Sequence, residues 1–352
     1  MIKPCTVNHN REVDIFPVSI KNYLPEKGME EIRQEITGGL LAPSMHIPSK
    51  YFYNREGSSL FKEITGLEEY YLSRTEKTIL SENMPFLARN SRFGCVVELG
   101  NGDSSKISLL FESMTTEKLK DINYFPVDIS AAAIDGSVKV LQKRFRELRI
   151  DGVVADFMTQ LQLIPVGDHP VLFCFFGSTL GNFEPWQRRE FFNRLGEVMQ
   201  QGDELLLGVD MVKDARVTEN AYNDHQGVTA AFNKNILNSV NDYLNSNFDT
   251  RKFQHQAFYS EKFERIEMHL KALDDIEITS PFFDTPVFIK NGETIHTENS
   301  YKFRKEEFID LSSEAGLTID ETWTDRSNWF SVFRFKKQFS ASRALSENPK
   351  HR

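Results

Sequence analysis

Short apolar runs alternate with helical or turn-rich segments through the middle of the chain. This alternation predicts a doubly wound sheet of parallel strands with helices on its faces. Two of the runs, VLFCFF and ELLLGVDMV, are apolar throughout, as expected of central strands that are covered on both faces. The predicted strands are Cys95–Leu99, Tyr124–Val127, Val153–Ala155, Val171–Phe176 and Leu205–Val209.

The rhythm changes after Val212, where residues 213–301 separate the last of these strands from the next helical segment. This stretch is far longer than a connection needs, so we expect an inserted α+β domain. The chain then returns with the helical segment KEEFIDLSSEAG and two strand candidates, LTIDETW and WFSVFRF, which are expected to finish the first sheet as an antiparallel pair. The insert has helical spacing at Phe232–Leu244 and strand-like alternation at Arg265–Leu273, Ile276–Thr279 and Thr294–Lys302.

Composition narrows the functional classes. The chain has 352 residues, 40% of them hydrophobic, which is enough for a large core and two domains. A formal charge of −9 argues against a nucleic-acid partner, since phosphate neutralisation needs a basic face. Apolar segments stay shorter than the ~18 residues of a membrane span, and the N-terminus lacks the apolar core of a signal peptide. We therefore expect a cytoplasmic monomer with no membrane partner, in which Cys5, Cys95 and Cys174 are reduced and structural.

The stretch ELGNGDSSK, Glu98 to Lys106, reads as a strand end, a glycine turn and a helix start. Backbone N–H groups point at a ligand in such a place. A dinucleotide fingerprint would need a third glycine where Ser105 stands, and the lysine and hydroxyl residue of a P-loop are absent. Acidic residues close the next two strands, at Asp128 and at Asp156-Phe157. This order favours S-adenosylmethionine (SAM), with carboxylates facing the ribose and the adenine, over glycines and aspartates that only form turns and helix caps.

The segment that follows the fourth predicted strand reads FGSTLGNFEP and ends a buried run with a polar, glycine-rich loop. Ligands of open α/β sheets bind beyond the carboxyl ends of the strands. Asn182 offers both an amide oxygen and an NH2 group there, which suits a substrate amine or carboxylate. The alternative is that Asn182 caps the helix that starts near Glu184-Pro185, and both roles are compatible.

These residues carry a resemblance to a known family. The glycine turn and the segments KYFYNREGSSLFKEITGLEEYYLSRTEKTIL, FFGSTLGN, AYNDHQGVTAAFNKNIL, ERIEMHL and GETIHTENSYKF resemble the histidine Nα-methyltransferases of ergothioneine biosynthesis. The match runs in order from about Pro48 to Phe335. It implies a SAM-dependent enzyme that trimethylates the α-amine of L-histidine to hercynine. It also implies a Rossmann-like class I methyltransferase sheet, interrupted by an α+β substrate-binding domain that the N-terminal segment completes.

The resemblance carries functional positions onto this chain. The implied cofactor contacts are Gly100, Lys106, Asp128, Asp156 and Phe157. The implied substrate contacts are Tyr53, Phe61, Tyr70, Gly177, Thr179, Asn182, Tyr222, Met268, Glu298 and Ser300. Asn182 and Tyr53 are the expected catalytic residues. The chain departs from the family pattern at Asn101, where serine is common, and at Asn299, which separates Glu298 from Ser300. Neither departure changes a residue that is implied to bind a ligand.

Glu298 and Ser300 stand two apart in an alternating segment and therefore project from one face of a strand. An imidazole could donate an N–H to the carboxylate and meet the hydroxyl with its other nitrogen. Without the family match, a solvated strand face would explain the same pattern. The histidines His46, His225 and His296 are possible bases, but structural or surface histidines are commoner, and no metal-ligand spacing occurs, so no metal site is expected.

The chain divides accordingly into an N-terminal extension (1–23), a substrate-binding domain (24–75 and 213–301), a SAM-binding domain (76–212 and 302–337) and a tail (338–352). The main alternative function is SAM-dependent N-methylation of another aromatic amino acid or amine, because one or two pocket residues can change specificity. A noncatalytic protein that binds SAM or an amino acid is a second alternative. A nicotinamide oxidoreductase is disfavoured by Ser105.

Overall fold

The computed structural model describes residues 18–24, 28–90, 92–167 and 169–338. Most of the expected N-terminal extension and of the expected tail lies outside these ranges, as does Cys5. Cys95 and Cys174 are buried and carry free thiols. None of the helices in the described ranges combines the length and the apolar character needed to cross a membrane.

A large mixed sheet forms the centre of the molecule, with its eight strands in the order β1-β4-β3-β2-β5-β6-β13-β12. The first six strands in this order are parallel, and β13 and β12 are antiparallel to their neighbours. The strands are β1 (Ser19–Asn22), β2 (Cys95–Leu99), β3 (Asn123–Asp128), β4 (Arg149–Val154), β5 (Val171–Phe175), β6 (Glu204–Asp210), β12 (Leu317–Thr324) and β13 (Phe330–Lys337). The predicted Rossmann-like α/β sheet and its closing antiparallel pair are confirmed.

Local pattern located most of these strands, with two differences. β4 begins at Arg149, four residues before the predicted start. The sequence pattern misses this first part of the strand because the charged residues Arg149 and Asp151 interrupt the apolar run. β1 was not predicted and lies within the segment assigned to the N-terminal extension. It has only four residues, and its pairing with β4 joins segments far apart in the chain, which a local pattern does not reveal.

Helices cover both faces of the sheet and the region above its edge. They are α1 (Met29–Leu40), α2 (Arg55–Ile64), α3 (Tyr71–Asn90), α4 (Ser105–Glu112), α5 (Thr116–Lys120), α6 (Ala131–Arg144), α7 (Pro185–Val198), α8 (Ala215–Tyr222), α9 (Val228–Leu244) and α10 (Lys305–Glu314). Sequence signals explain individual ends: α7 starts with a capping box between Glu184 and Gln187 and with Pro185 at its first position.

The sheet separates two apolar clusters, because neighbouring residues of each strand point to opposite faces. Val96 and Leu172 belong to the cluster that continues into the insert. Val97 and Phe173, one residue further along, belong to the cluster beneath α7 and α10. The strands β2 and β5 are thus buried on both faces, as their continuous apolar runs predict.

The insert folds as α8, α9 and two small antiparallel sheets, one ordered β11-β8-β7 and the other β10-β9. Its α+β composition agrees with the expectation. The strands are β7 (Phe253–Ser260), β8 (Arg265–Ala272), β9 (Ile276–Ile278), β10 (Val287–Ile289) and β11 (Thr294–Tyr301). Neither β7 nor β10 was predicted. In β7 the inward positions include His255 and Ala257 rather than large apolar side chains, so its alternation is weak.

The segment that precedes α3 packs against the insert. The rings of Phe52 and Phe232 stack with their centroids 4.5 Å apart. The Asn54 side chain caps α2 and also accepts a hydrogen bond from Asn235 at 2.8 Å. The backbone N–H of His296 donates to the carbonyl of Met45 at 2.9 Å. These contacts place the two parts of the expected substrate domain against each other, above the carboxyl ends of the parallel strands.

Candidate active site

A cavity of about 580 Å³, including its mouth, lies at this junction. All ten side chains or backbone positions that the resemblance assigns to the substrate line it. They come from distant parts of the chain, namely the segment before α3, the loop after β5, the end of α8, and the strands β8 and β11. The further residues lining the cavity are Ile64, Leu72, Ser178, Thr229 and Phe232. A few polar groups among aromatic walls are typical of a small-molecule site.

The loop after β5 takes its shape from two left-handed residues, Gly177 (φ +83°) and Ser178 (φ +58°). A side chain at position 177 would have its Cβ 3.1 Å from the Nζ of Lys106, so glycine also permits a close approach. The loop continues into a short 3-10 turn, Thr179–Asn182, which ends at the cavity. Glu184, rather than Asn182, caps α7, so the capping alternative for Asn182 is wrong.

A β-bulge in β11 brings Glu298 into the cavity. His296 pairs with His269 and Glu298 with Met268, so Thr297 is the extra residue. The Thr297 hydroxyl is buried and donates to the side-chain oxygen of Asn233 at 2.7 Å. Because of the bulge, Thr297 and Glu298 both face inward, and Ser300 follows two residues later on the same side.

Desolvation raises the pKa of the Glu298 carboxyl to about 7, and the positive charge of Lys302 opposes this shift. The carboxylate is thus held in an environment where a hydrogen-bond donor would stabilise its charge. Desolvation also raises the pKa of Tyr70, as do the nearby Tyr222 and Glu298. Both effects describe a poorly hydrated cavity.

A buried polar network lies behind Ser300 and was not predicted. The hydroxyl of Tyr222 donates to the Ser300 Oγ at 2.7 Å, and the Lys302 Nζ donates to the same oxygen at 2.9 Å. The Nζ of Lys302 also lies 3.0 Å from Asp210 Oδ2, and both side chains are fully buried. Asp210 has a second cationic partner, Lys213, at 2.6 Å. The sequence did carry one signal, since Lys302 continues the alternation of Glu298 and Ser300.

Tyr53 lies between the two groups of predicted ligands. Its pKa is raised by desolvation and then by the charges of Glu298, on the substrate side, and Asp128, on the cofactor side. Tyr53 lines the cavity and remains 43% exposed as a whole residue. The charges of a predicted substrate residue and of a predicted cofactor residue thus both act on Tyr53.

The predicted cofactor residues meet at the carboxyl ends of β2, β3 and β4. The N–H of Gly100 donates to the carbonyl of Val127 at 2.9 Å, and the N–H of Ala155 donates to the carbonyl of Asp128 at 3.0 Å. Asp156 follows directly, so the three predicted positions lie on adjacent strands of one edge. Phe157 packs its ring against Phe175 and other rings at this edge.

The glycine turn has left-handed backbone at Gly100 (φ +71°), Gly102 (φ +49°) and Ser104 (φ +58°). A Cβ placed on Gly100 would have no neighbour within 4 Å, so the turn borders open space. One oxygen of Asp128 accepts the N–H of Ser130 at 2.8 Å, and burial raises the pKa of this carboxyl. Open space beside Gly100, next to a desolvated carboxylate, suits the ribose of a nucleoside.

Glu98, at the end of β2, is a buried carboxyl that the sequence did not single out. It accepts a hydrogen bond of 2.5 Å from the Tyr124 hydroxyl, and desolvation raises its pKa to about 8. Tyr124 also donates to Asn101 at 3.1 Å. Asn101, the departure from the family pattern, thus helps to fix the glycine turn on β3.

Glu76 is the second functional candidate that the sequence missed. Its carboxylate is fully buried and lies 2.6 Å from the Nζ of Lys106. Both of its oxygens accept the backbone N–H of Gly177 at 2.9 Å. A signal was present, because Leu72, Glu76 and Leu80 share one helix face, so the carboxylate stands in an apolar stripe.

The three histidines considered as bases do not line the cavity. His225 is exposed and contacts Glu69, and His46 is exposed as well. His296 lies on the outer face of β11, where Glu267, His269 and His296 bring potential ligand atoms within 4.8 Å. Arg265 already binds Glu267 at 2.7 Å, so this carboxylate has a cationic partner.

Comparison with known proteins identifies relatives of the chain. The chain is 38% identical over 317 residues to the histidine N-alpha-methyltransferase of Mycolicibacterium smegmatis, covering 90% of this chain and 98% of that protein. It is 27% identical to the ergothioneine biosynthesis protein 1 of Neurospora crassa, covering 79% of this chain and 32% of that protein. It is 23% identical to the 4-dimethylallyltryptophan N-methyltransferase of Epichloe festucae var. lolii, covering 86% of this chain and 93% of that protein.

The sequence model of one protein family, described as histidine-specific methyltransferase, SAM-dependent, matches residues 32–337. This range contains the predicted substrate-binding residues, the predicted cofactor-binding residues with the glycine turn, and the whole insert. The resemblance drawn from the motifs is thereby confirmed. The chain belongs to the SAM-dependent, histidine-specific methyltransferase family.

Proposed function

We propose that this protein methylates the α-amine of L-histidine with SAM and forms the trimethylated product hercynine, the first step of ergothioneine biosynthesis. One observation carries the proposal: Glu298 and Ser300 face the same cavity as Asn182, next to the edge that holds the glycine turn. Membership of the family and the names of the relatives support SAM and histidine as the two ligands.

In this proposal the imidazole lies between Glu298 and Ser300. Glu298 accepts one ring N–H, and Ser300 meets the other nitrogen. Met268 and Phe61 contact the apolar parts of the ring, since both line the same cavity. The remaining ligand positions hold the amino-acid end: these are Tyr70, Gly177, Thr179, Asn182 and Tyr222. Tyrosines with a buried ring and a polar tip suit a half-buried carboxylate or amine.

The cofactor side fits SAM by the chemistry of its donors and acceptors. Asp128 accepts from ribose hydroxyls, and Asp156 and Phe157 contact the adenine. Gly100 lets the backbone approach, and Lys106 lies at the same turn. When bound, SAM supplies an activated methyl group on a positively charged sulfur.

The residues of the chain have to orient a neutral amine, and little acid–base chemistry is required. Asn182 and Tyr53 are the proposed catalytic residues, because both line the cavity and the resemblance assigns both to the substrate. Asn182 can accept from the amine, and the raised pKa of Tyr53 keeps its hydroxyl neutral. The proton leaves to water, and the amine turns in the cavity between successive methyl additions.

We also propose the domain division stated above, with 24–75 and 213–301 as the substrate-binding domain and 76–212 and 302–337 as the SAM-binding domain. The contacts between Phe52 and Phe232 and between Asn54 and Asn235 support the first pairing. The boundary at 75/76 falls inside α3, so one helix is shared by both parts. We also propose a monomer, and gel filtration tests this.

The test is mass spectrometry of purified protein incubated with SAM and the twenty amino acids. We expect up to three successive methyl gains on histidine alone, with fragmentation placing all of them on the α-amine. Preferred methylation of another aromatic amino acid would refute histidine as the substrate and support the alternative function, N-methylation of another aromatic amino acid or amine. Binding of both ligands without any turnover would instead indicate a noncatalytic binding protein.

A further inference from the structure

Lys302 lies directly behind Ser300, at the end of the cavity where the imidazole is proposed to bind. Its side chain is fully buried, and its Nζ lies 2.9 Å from Ser300 Oγ, 3.4 Å from the Tyr222 hydroxyl and 3.0 Å from Asp210 Oδ2. An ammonium group has three N–H donors and no acceptor. These three oxygens therefore use every donor that Lys302 has, and it can act on the hydroxyls only as a donor.

The Ser300 hydroxyl has one O–H and two acceptor positions. Its oxygen accepts from Lys302 at 2.9 Å and from Tyr222 at 2.7 Å. Both acceptor positions are thus taken within the protein. What remains is the O–H of Ser300, a residue that lines the cavity.

We infer that Lys302 is a positioning residue for substrate recognition, which fixes the Ser300 hydroxyl as a donor toward the ligand. With Glu298 as the acceptor opposite, the cavity then selects a neutral ring that presents one N–H and one bare nitrogen. This inference rests on the proposed function and extends it to a defined tautomer of the imidazole.

The surroundings keep Lys302 charged and in place. Burial alone would lower the pKa of this lysine, but its interactions with Tyr222 and with the Asp210 carboxylate outweigh that effect, and the net pKa is raised. Asp210 is also held by Lys213 at 2.6 Å and by the hydroxyl of Tyr71 at 2.8 Å. Removing the ammonium group of Lys302 therefore leaves Asp210 with partners.

A double-mutant cycle tests the inference. Histidine affinity is measured by calorimetry for wild type, Ser300→Ala, Lys302→Met and the double variant. We expect each single change to weaken histidine binding about tenfold to a hundredfold, the range for one hydrogen bond at a desolvated site. The double variant should be no weaker than the worse single variant, because Lys302 acts through Ser300. SAM affinity should stay close to wild type in all four proteins.

Two ring analogues give a readout that a purely structural role would not change. Alanines bearing a pyrrol-2-yl or a pyrrol-3-yl group each keep one of the two imidazole nitrogens as N–H and replace the other by C–H. Wild type should bind histidine more tightly than the isomer that satisfies Glu298, by about tenfold or more. Ser300→Ala and Lys302→Met should both reduce this preference toward unity.

Lys213→Met is the matched control, because it removes the other buried lysine on Asp210 without touching Ser300. Its preference for histidine over the pyrrole isomers should equal that of wild type. If Lys302→Met does not fold, Lys302→Gln, which keeps an uncharged NH2 donor group, should retain part of the preference. Additive losses in the cycle, or an unchanged preference in the Lys302 variants, would overturn the inference. Failure of wild type to bind histidine would instead refute the proposed function.

Discussion

The Nζ of Lys106 lies 2.6 Å from a carboxylate oxygen of Glu76, and this ion pair joins the start of α4 to the middle of α3. The same carboxylate accepts the backbone N–H of Gly177, which lies in the loop after β5. Lys106 belongs to the predicted cofactor positions and Gly177 to the predicted substrate positions. One buried anion thus connects the two halves of the proposed site.

This connection predicts that Glu76→Gln weakens both ligands. The substitution leaves the Lys106 ammonium without its counter-charge and loosens the Gly177 loop. Removing one partner of a buried pair costs about 3–5 kcal/mol, so we expect a lower melting temperature together with weaker SAM and histidine binding. Calorimetry and thermal melts measure these quantities, with Glu82→Gln, an exposed change on the same helix, as the control. Ligand affinities equal to wild type would remove Glu76 from the site.

Asp128→Ala is expected to weaken SAM binding selectively. A carboxylate that accepts ribose hydroxyls contributes about 1.5–3 kcal/mol, so the dissociation constant should rise by about tenfold to a hundredfold. Asp135→Ala, which removes a carboxylate on α6 that is 50% exposed, is the control. Should a folded Asp128→Ala variant bind SAM as wild type does, the ribose assignment is wrong.

Much of the fold follows from local pattern. The strand Cys95–Leu99 has its predicted bounds because its run of buried residues stops at a glycine turn. The short strands β1 and β10 escape such reasoning, since four or three residues contain too little periodicity and their pairing depends on distant partners. Topology supplies what the pattern lacks.

The site divides in the same way. The family resemblance supplies the residues that are expected to contact ligands, and the structure gathers the ten expected substrate positions around one cavity. Glu76 and Lys302 lie behind those residues, and their roles depend on partners from other elements. The bulge at Thr297 is likewise invisible in the alternating pattern, although it sets which residues of β11 face inward.

Glu298 should cost stability when it ionises. Its pKa is raised from 4.5 to about 7, so the folded protein holds this proton more tightly than the unfolded chain does. Stability therefore falls as the pH rises between these two values and is not regained above them. Glu298→Gln should be more stable than wild type at pH ~8, by up to about 3 kcal/mol, and should lose this advantage near pH ~5.

Urea unfolding at the two pH values measures this effect, with Glu293→Gln, an exposed carboxyl, as the control. A stability difference that is the same at both values would mean that Glu298 has an ordinary pKa in the folded protein. If Glu298→Gln is more stable than wild type at pH ~8, the ionised Glu298 carboxylate destabilises the ligand-free fold. A role in ligand binding would account for a carboxylate at this position.

In the proposed site Glu298 recognises the imidazole by accepting a hydrogen bond from a ring N–H. Glu298→Ala leaves a ring N–H without an acceptor in a poorly hydrated cavity, which should weaken histidine binding by about 1.5–3 kcal/mol. SAM binding should barely change. An amino acid without a ring N–H at that place has nothing to lose, so the preference for histidine over bulkier aromatic amino acids should narrow. Glu293→Ala controls for the loss of a carboxylate elsewhere in the insert.

The most direct measurement is kcat/KM for histidine, tryptophan and phenylalanine, determined side by side for wild type, Glu298→Ala and Glu293→Ala. We predict a loss of kcat/KM of about tenfold to a hundredfold or more for histidine in Glu298→Ala alone, with much smaller changes for the other two substrates. Equal proportional losses on all three would contradict it, and Glu298 would then support the fold or the amine end of the substrate.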